Sequence, residues 1–364
     1  MSTLVQWFYV WRTVPRFMSS IWVLLILTLV LGWVMVLSVG IGAVNIPPSA
    51  VLAIFAHLLG FSTETGHQPV QEAILLTIRL PRVVLAVLVG AALAVSGAAM
   101  QGLFRNPLAD PGLIGVSSGA ALATAIAMVV LSQITLPVIT YLGPALVPMA
   151  AFAGGTMATV LVYTLATRNG QTQVTTMLLA GIAVNALAGA IIGFMIFLAD
   201  DDQLRDLTFW TLGSLGGAMW SSIWIVLPFL LAAILILPAL SRGLNTILLG
   251  EAEARHLGVR VELLKKTIIV FVGLAVGAAV SVSGMIGFVG LVVPHILRLW
   301  IGPDHRFLMP GSAVLGGLLL LVSDLLARTL AAPAELPIGV ITAAAGAPFF
   351  LWLLLRNRDQ EGYL

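Results

Sequence analysis

The 364-residue sequence contains no cysteine, and only 9% of its residues are charged. The first absence excludes a disulfide framework, a thiolate metal site and a cysteine nucleophile. The second excludes an ordinary water-soluble domain, in which about a quarter of residues carry charge. Lys and Arg number 17 against 15 Asp and Glu, a formal charge of +2 that is too small to point to nucleic acid. No G-x-x-x-x-G-K-[ST] loop occurs, so the chain lacks that device for holding nucleotide phosphates. The five histidines are scattered as His57, His67, His256, His295 and His305, without Tyr or Met in a constellation that would fix iron, and each reads as a structural residue.

What is present is apolar: 60% of the residues, gathered into long runs. About 20 apolar residues cross a bilayer core as a helix. Ten candidate spans follow: 21–42, 82–104, 113–131, 143–166, 173–199, 222–240, 264–282, 285–300, 308–330 and 338–355. The expected fold class is therefore all-α, a polytopic transmembrane bundle of about ten helices, with segments 1–20 and 357–364 flanking a membrane domain over 21–356. The eighth span is short and contains Pro294, and its limits are the least defined. The first follows Arg12 and Arg16 as a signal peptide would, yet its length and the lack of a clear small-residue cleavage site read as an anchor.

Basic residues gather on the cytoplasmic side of a membrane protein. With both termini inside, the cytoplasmic segments hold Arg12, Arg16, Arg105, Arg168, Arg242, Arg255, Arg260, Lys265, Lys266, Arg298, Arg306, Arg356 and Arg358, leaving Arg79, Arg82, Arg205 and Arg328 outside. Gly90, Ala94, Ala98 and Gly102 recur at every fourth position, as do Gly273, Gly277 and Ser281, which predicts close backbone approach between helices in lipid. Gly181, Asn185, Gly189 and Gly193 share a face of the fifth span. Asn185 there either lines a pathway or bonds a neighbouring helix. In the turn 106–112, Asp110 reads first as an N-cap, with Pro111 where its missing N–H is harmless. Asp324 is essentially the one acid inside a span, and Arg328 one turn on suggests a structural ion pair. A carrier driven by an ion gradient would place more ionisable groups there, so the energy for transport is expected to come from outside the chain.

The cytoplasmic stretch 244–259 has helical apolar spacing, interleaved charges and a glycine stop. It predicts a short amphipathic helix for the membrane surface or for a partner's groove, and Glu251, Glu253 and Arg255 favour a protein partner.

The sequence resembles the permease subunits of type II ABC importers, which take up vitamin B12, ferric siderophores and haem. The likeness spans roughly residues 20–356. It rests on RLPR at Arg79–Arg82, GAALAVSGAAMQGLFRNPLADPGLIG from Gly90, LLAGIAVNAL from Leu178, GEAEARHLG from Gly250, GFVGLVVPHILR from Gly287 and AELPIGVITAAAGAPFFLWLL from Ala334. The resemblance implies a B12-importer-like fold, a homodimer with its path on the two-fold axis, two ATP-binding cassette subunits carrying ATP-Mg, and a periplasmic substrate-binding protein. It implies no cofactor on this chain, no enzymatic activity, no nucleic acid, and a multi-pass place in the bacterial inner membrane. Carried over by position, Leu249, Gly250, Glu251, Ala252, Ala254, Leu257 and Gly258, within 242–262, couple to the ATPase. Arg79, Arg82 and Arg328 receive carboxylates of the binding protein, against plainer roles as interfacial anchors or, for Arg328, as partner of Asp324. Gln173, Thr175 and Thr176 match the cytoplasmic gate, unless the threonines only cap the helix; Asn185 joins them as a path candidate.

The stretch FLADDDQLRDLTFWTLGSLGGA from Phe197 is most similar to the haem importers of that family, so haem is the expected cargo, with a ferric siderophore or cobalamin as alternatives. Phe209 and Trp210 offer aromatic surface to a macrocycle or anchor the interface. Asp200, Asp201 and Asp202 read as a solvated cap on the fifth span rather than a cation site. An ion-coupled carrier and a membrane sensor or scaffold are the rival classes; the first lacks interior acids and the second a soluble domain.

Overall fold

One helix is enclosed on nearly all sides. In the computed structural model, which describes residues 16–42, 46–58, 60–61, 68–133 and 143–361, α3 runs unbroken over 35 residues from Pro69 to Leu103, and 83% of its most apolar stretch is buried. Ahead of it lie α1 (Arg16–Gly40) and α2 (Pro48–Leu58). After it come α4 (Val116–Val129), α5 (Leu146–Ala166), a two-stranded hairpin of β1 (Thr167–Arg168) and β2 (Gln171–Thr172), and α6 (Val174–Leu198). Then follow α7 (Asp201–Leu212), α8 (Trp220–Ala239), α9 (Ser241–Ile247) and α10 (Glu251–His256). The chain closes with α11 (Val261–Ser283), α12 (Val289–Ile301), α13 (His305–Thr329) and α14 (Ile338–Glu361).

Glycine explains how α3 reaches the centre. It runs antiparallel to α13, with Gly90 against the Gly316 backbone near the middle and Gly102 beside the His305 ring at the other end. Gly97 lies on the Gly290 backbone of α12, where a Cβ would overlap a carbonyl group. Gly119 and Gly154 bring α4 and α5 together in the same way. Where lipid removes the hydrophobic drive between helices, such contacts let dispersion act at short range. The small face expected at Gly90, Ala94, Ala98 and Gly102 is the one that packs.

Seven helices are long and apolar enough to cross a membrane among the described residues, and they fall on seven of the ten expected spans. The third, eighth and tenth are shorter apolar helices, and a further one, Pro48–His57, occupies a stretch read as an outside loop. The second span begins 13 residues earlier than expected, because Pro81 and its flanking arginines imitate a helix start. Here Pro69 supplies the first turn, Gln68 and Gln71 bond each other's backbone, and a wide π turn at Leu75–Arg79 precedes Pro81, which cannot donate to the ladder.

Two local expectations change and two hold. The segment 244–259 is two short helices, α9 and α10, broken at Gly250, whose φ of +126° only glycine adopts without strain. The stop at Gly258 has φ +85°. Asp200 caps α7 rather than the fifth span: it accepts the Gln203 N–H at 2.8 Å while Gln203 accepts from the Asp200 N–H at 3.2 Å, a reciprocal capping box. Asp110 does cap, accepting the Gly112 N–H at 2.7 Å at the head of a 3-10 turn, Pro111–Ile114. Burial pushes its carboxyl above the usual range, and the Gly112 bond opposes that. Arg12 and His67 lie outside the described residues, as do the side chains of Arg16, Arg356 and Arg358.

Candidate functional site

Ionic side chains cluster at opposite ends of the bundle. At the first end, Arg82 Nε of α3 donates to Asp324 Oδ1 of α13 at 2.8 Å and its Nη1 donates to Glu335 Oε1 at 2.9 Å. Asp324 is fully buried, and Arg328 Nε sits 3.6 Å from its second oxygen. The ion pair expected between Asp324 and Arg328 therefore exists but is the looser of two; Arg82 is the closer partner. Arg79 and Arg328 turn to the C-terminal end of α1, where the last carbonyls have no helical partner. Arg79 Nη1 donates to the Val39 and Gly40 carbonyls at 2.8 and 2.6 Å, and Arg328 Nη2 to the Ser38 carbonyl at 2.6 Å. Three cations against two carboxylates leave one net positive charge.

Arg79 and Arg82 are thus not exposed anchors at the start of a span. They are 5% and 7% exposed and lie well inside α3. Glu335, in the loop between α13 and α14, is the open member of the cluster, with 46% of its side chain exposed. The Gly213 carbonyl accepts the Ile338 N–H at 3.0 Å, which holds that loop against the segment after α7.

At the opposite end the hairpin, α10 and the start of α11 converge. Asn169 and Gly170 form the turn with φ of +53° and +74°, the pattern of a two-residue type I′ hairpin. Lys265 of α11 is 2% exposed; its Nζ donates to the Thr172 carbonyl at 2.7 Å and Glu251 Oε2 at 2.8 Å, with Glu262 Oε1 at 3.5 Å. Glu262 in turn accepts the Thr172 N–H at 2.9 Å and an Arg255 donor at 3.1 Å. Ala254 of α10 is fully buried, while Leu249 just before α10 and Leu257 just after it are 67% and 65% exposed.

The FecCD transport family model matches residues 25–356, nearly the whole chain. The chain belongs to the FecCD transport family. The hemin transport system permease of Yersinia pestis is 45% identical over 350 residues, covering 96% of this chain and 98% of that protein. The cobalamin import permease of Halobacterium salinarum is 46% identical over 290 residues, covering 80% and 74%. A metal-chelate type ABC transporter solved in an inward-facing conformation superposes with a TM-score of 0.78 at 31% identity, covering 92% of this chain and 98% of that one. This FecCD chain is therefore a membrane-spanning permease of an ABC importer, a transport component and not an enzyme. An ion-coupled carrier and a membrane sensor are set aside by that membership.

Within this FecCD permease, the residues expected at the ATPase interface group on and around α10. Leu249, Ala252, Leu257 and Gly258 are exposed, Gly250 and Glu251 half-buried, and Ala254 is the foot of the helix. Gln173 and Thr175 are exposed at the head of α6, and the Thr176 hydroxyl donates to Gln173 Oε1 at 3.1 Å. That bond joins two side chains; no side-chain cap reaches the α6 N-terminus. Asn185 sits apart from them, accepting from the Ser118 hydroxyl and donating to the Gly112 carbonyl at 3.2 Å, so its polar atoms bind neighbouring segments. Trp210 packs on the core while Phe209 is exposed. His295 packs edge-on against Phe349, with ring centroids 5.9 Å apart. Among the described residues no group of three or more His, Asp or Glu is placed to hold a metal.

Sequence reasoning missed Lys265, Glu262, Thr172 and Glu335. The Asn169–Gly170 pair was an available signal for the hairpin. Nothing local marks Lys265 as buried.

Proposed function

We propose that this permease moves haem from a periplasmic binding protein to the cytoplasm, driven by two ATP-binding cassette subunits that carry the ATP-Mg, with no cofactor of its own. The observation that carries the cargo is the likeness to the hemin permease, which runs through 96% of this chain and 98% of that protein. The stretch from Phe197, with the exposed Phe209, supports it further. The 46% identity to a cobalamin permease keeps cobalamin as the second reading.

The permease works as a homodimer in the inner membrane with both termini in the cytoplasm. Only 17% of the apolar stretch of α6 is buried, and Gly189 and Gly193 meet no neighbouring atoms, which suits a helix facing a second copy and a path. Leu249 and Leu257 flank α10 as apolar anchors for the ATPase, with Gly250, Glu251, Ala252, Ala254 and Gly258 setting its angle. Gln173, Thr175 and Thr176 form the cytoplasmic gate, with Asn185 bracing α6 behind it. At the outer end, carboxylates of the binding protein approach Arg79, Arg82 and Arg328 through the opening at Glu335, since the guanidinium planes suit bidentate pairing.

The test is ATP-dependent uptake into proteoliposomes holding the permease, its ATPase and its binding protein. Haem accumulation that resists excess ferric siderophore and cobalamin supports this cargo; accumulation of a competitor in place of haem replaces it.

A further inference from the structure

Lys265 carries three N–H donors. All of its acceptors are placed, and they belong to three different elements: Glu251 of α10, the Thr172 carbonyl of the hairpin, and Glu262 one turn earlier in α11. A buried ammonium tolerates loss of such partners poorly, because low dielectric raises the cost of an unpaired charge. Glu262 closes the loop from the other side by holding the Thr172 N–H. Thr172 is itself buried, its hydroxyl 3.0 Å from that of Thr167 across the hairpin. One residue beyond it the chain enters Gln173 and α6, and the Gln173 N–H returns to the Ala166 carbonyl at 3.0 Å. The hairpin is short and tied at both ends, so it has little slack to absorb a displacement of α10.

We propose that Lys265 is a positioning residue that transmits movement of α10 to the head of α6, through the Glu251–Lys265–Thr172 bonds and with Glu262 as the brace. A shift of α10 imposed by an ATPase subunit then either carries Lys265 and Thr172 with it or takes the 2.8 Å Glu251 carboxylate away from a buried ammonium, and the loss of that charged acceptor opposes the second alternative. The inference rests on the roles proposed above for α10 and for Thr175.

The chain has no cysteine, so Thr175→Cys, at an exposed position, introduces a single reactive thiol. In the complete importer, the labelling rate of that thiol by a membrane-impermeant maleimide is measured with and without ATP and vanadate. The rate is expected to change about fivefold or more on nucleotide binding, and Lys265→Met is expected to cut that change below about twofold while the ATPase subunits still co-purify. A full nucleotide-dependent change in Lys265→Met overturns the proposal. Glu262→Gln, which keeps Lys265 but weakens the hold on Thr172, is expected to reduce the change as well. If Lys265→Met fails to assemble, an undiminished change in Glu262→Gln overturns the proposal on its own. Absence of any change with Lys265 intact is a different failure: it removes the gate role of Thr175, and the relay with it.

Discussion

Arg82 and Asp324 stand 242 residues apart in the chain and 2.8 Å apart in the structure, both buried. Removing one member of a buried ion pair costs about 3–5 kcal/mol, and without Arg82 the buried Asp324 keeps only the looser contact to Arg328, 3.6 Å away. Arg82→Ala is expected to lower the thermal midpoint strongly. Arg82→Gln combined with Asp324→Asn, which neutralises both, is expected to cost clearly less than Arg82→Ala alone; equal losses would deny the pair its structural role.

Asp324→Asn alone separates structure from energy coupling. The folded variant is expected to be less stable yet to retain ATP-driven uptake. Complete loss of uptake in a protein that folds and still binds its ATPase would assign Asp324 to the transport step.

Backbone contact at Gly97 and Gly290 leaves no room for a side chain. Gly97→Leu is expected to destabilise the bundle by at least the roughly 1–3 kcal/mol of an overpacked core. Gly32 of α1 meets no neighbour, and Gly32→Ala is expected to be neutral or slightly stabilising, since alanine is the better helix former. Thermal unfolding in detergent distinguishes the two.

The end of the bundle where α13 begins carries a pH signature. Hydrogen bonds from Arg306, opposed by burial and aided by the Arg306 N–H and Asn245, hold the Asp304 carboxyl at about 2, below its ordinary 3.8. A depressed carboxylate stabilises the fold fully above its unfolded value and loses that contribution as pH falls toward its folded value. The midpoint difference between Asp304 and Asp304→Asn proteins is therefore expected to be constant from pH 7 to about 4 and to shrink between about 4 and 2. A difference independent of pH would assign the effect to packing.

Leu257 is exposed, so Leu257→Asp is expected to change folding stability by no more than about 0.5 kcal/mol. It is expected to lose the ATPase subunits on co-purification. Retention of the ATPase with full uptake would move the docking surface away from α10.

The legible parts of this molecule are those whose physics is local. Glycine and alanine at every fourth residue have one main use in lipid, so the faces of α3 were readable from Gly90 to Gly102. The Asp110 cap and the Gly258 stop are likewise properties of a few neighbouring residues. Arg79 and Arg82 were misplaced because their partners, the end of α1 and Asp324, are distant in sequence; without those partners an arginine beside a proline reads as a helix boundary. Lys265 counted only as one positive charge among several, although its burial depends on a carbonyl 93 residues away. The split of 244–259 at Gly250 was hidden because helical apolar spacing continues across the break.

ATP hydrolysis on the partner subunits, and not an ion gradient, is the proposed source of energy. With haem outside and ATP inside, proteoliposomes containing the permease, its ATPase and its binding protein are expected to accumulate haem at an undiminished rate after ionophores collapse every ion gradient, and to stop when the ATPase carries a hydrolysis-deficient substitution. Uptake that continues without hydrolysis and disappears with the ion gradient would contradict it.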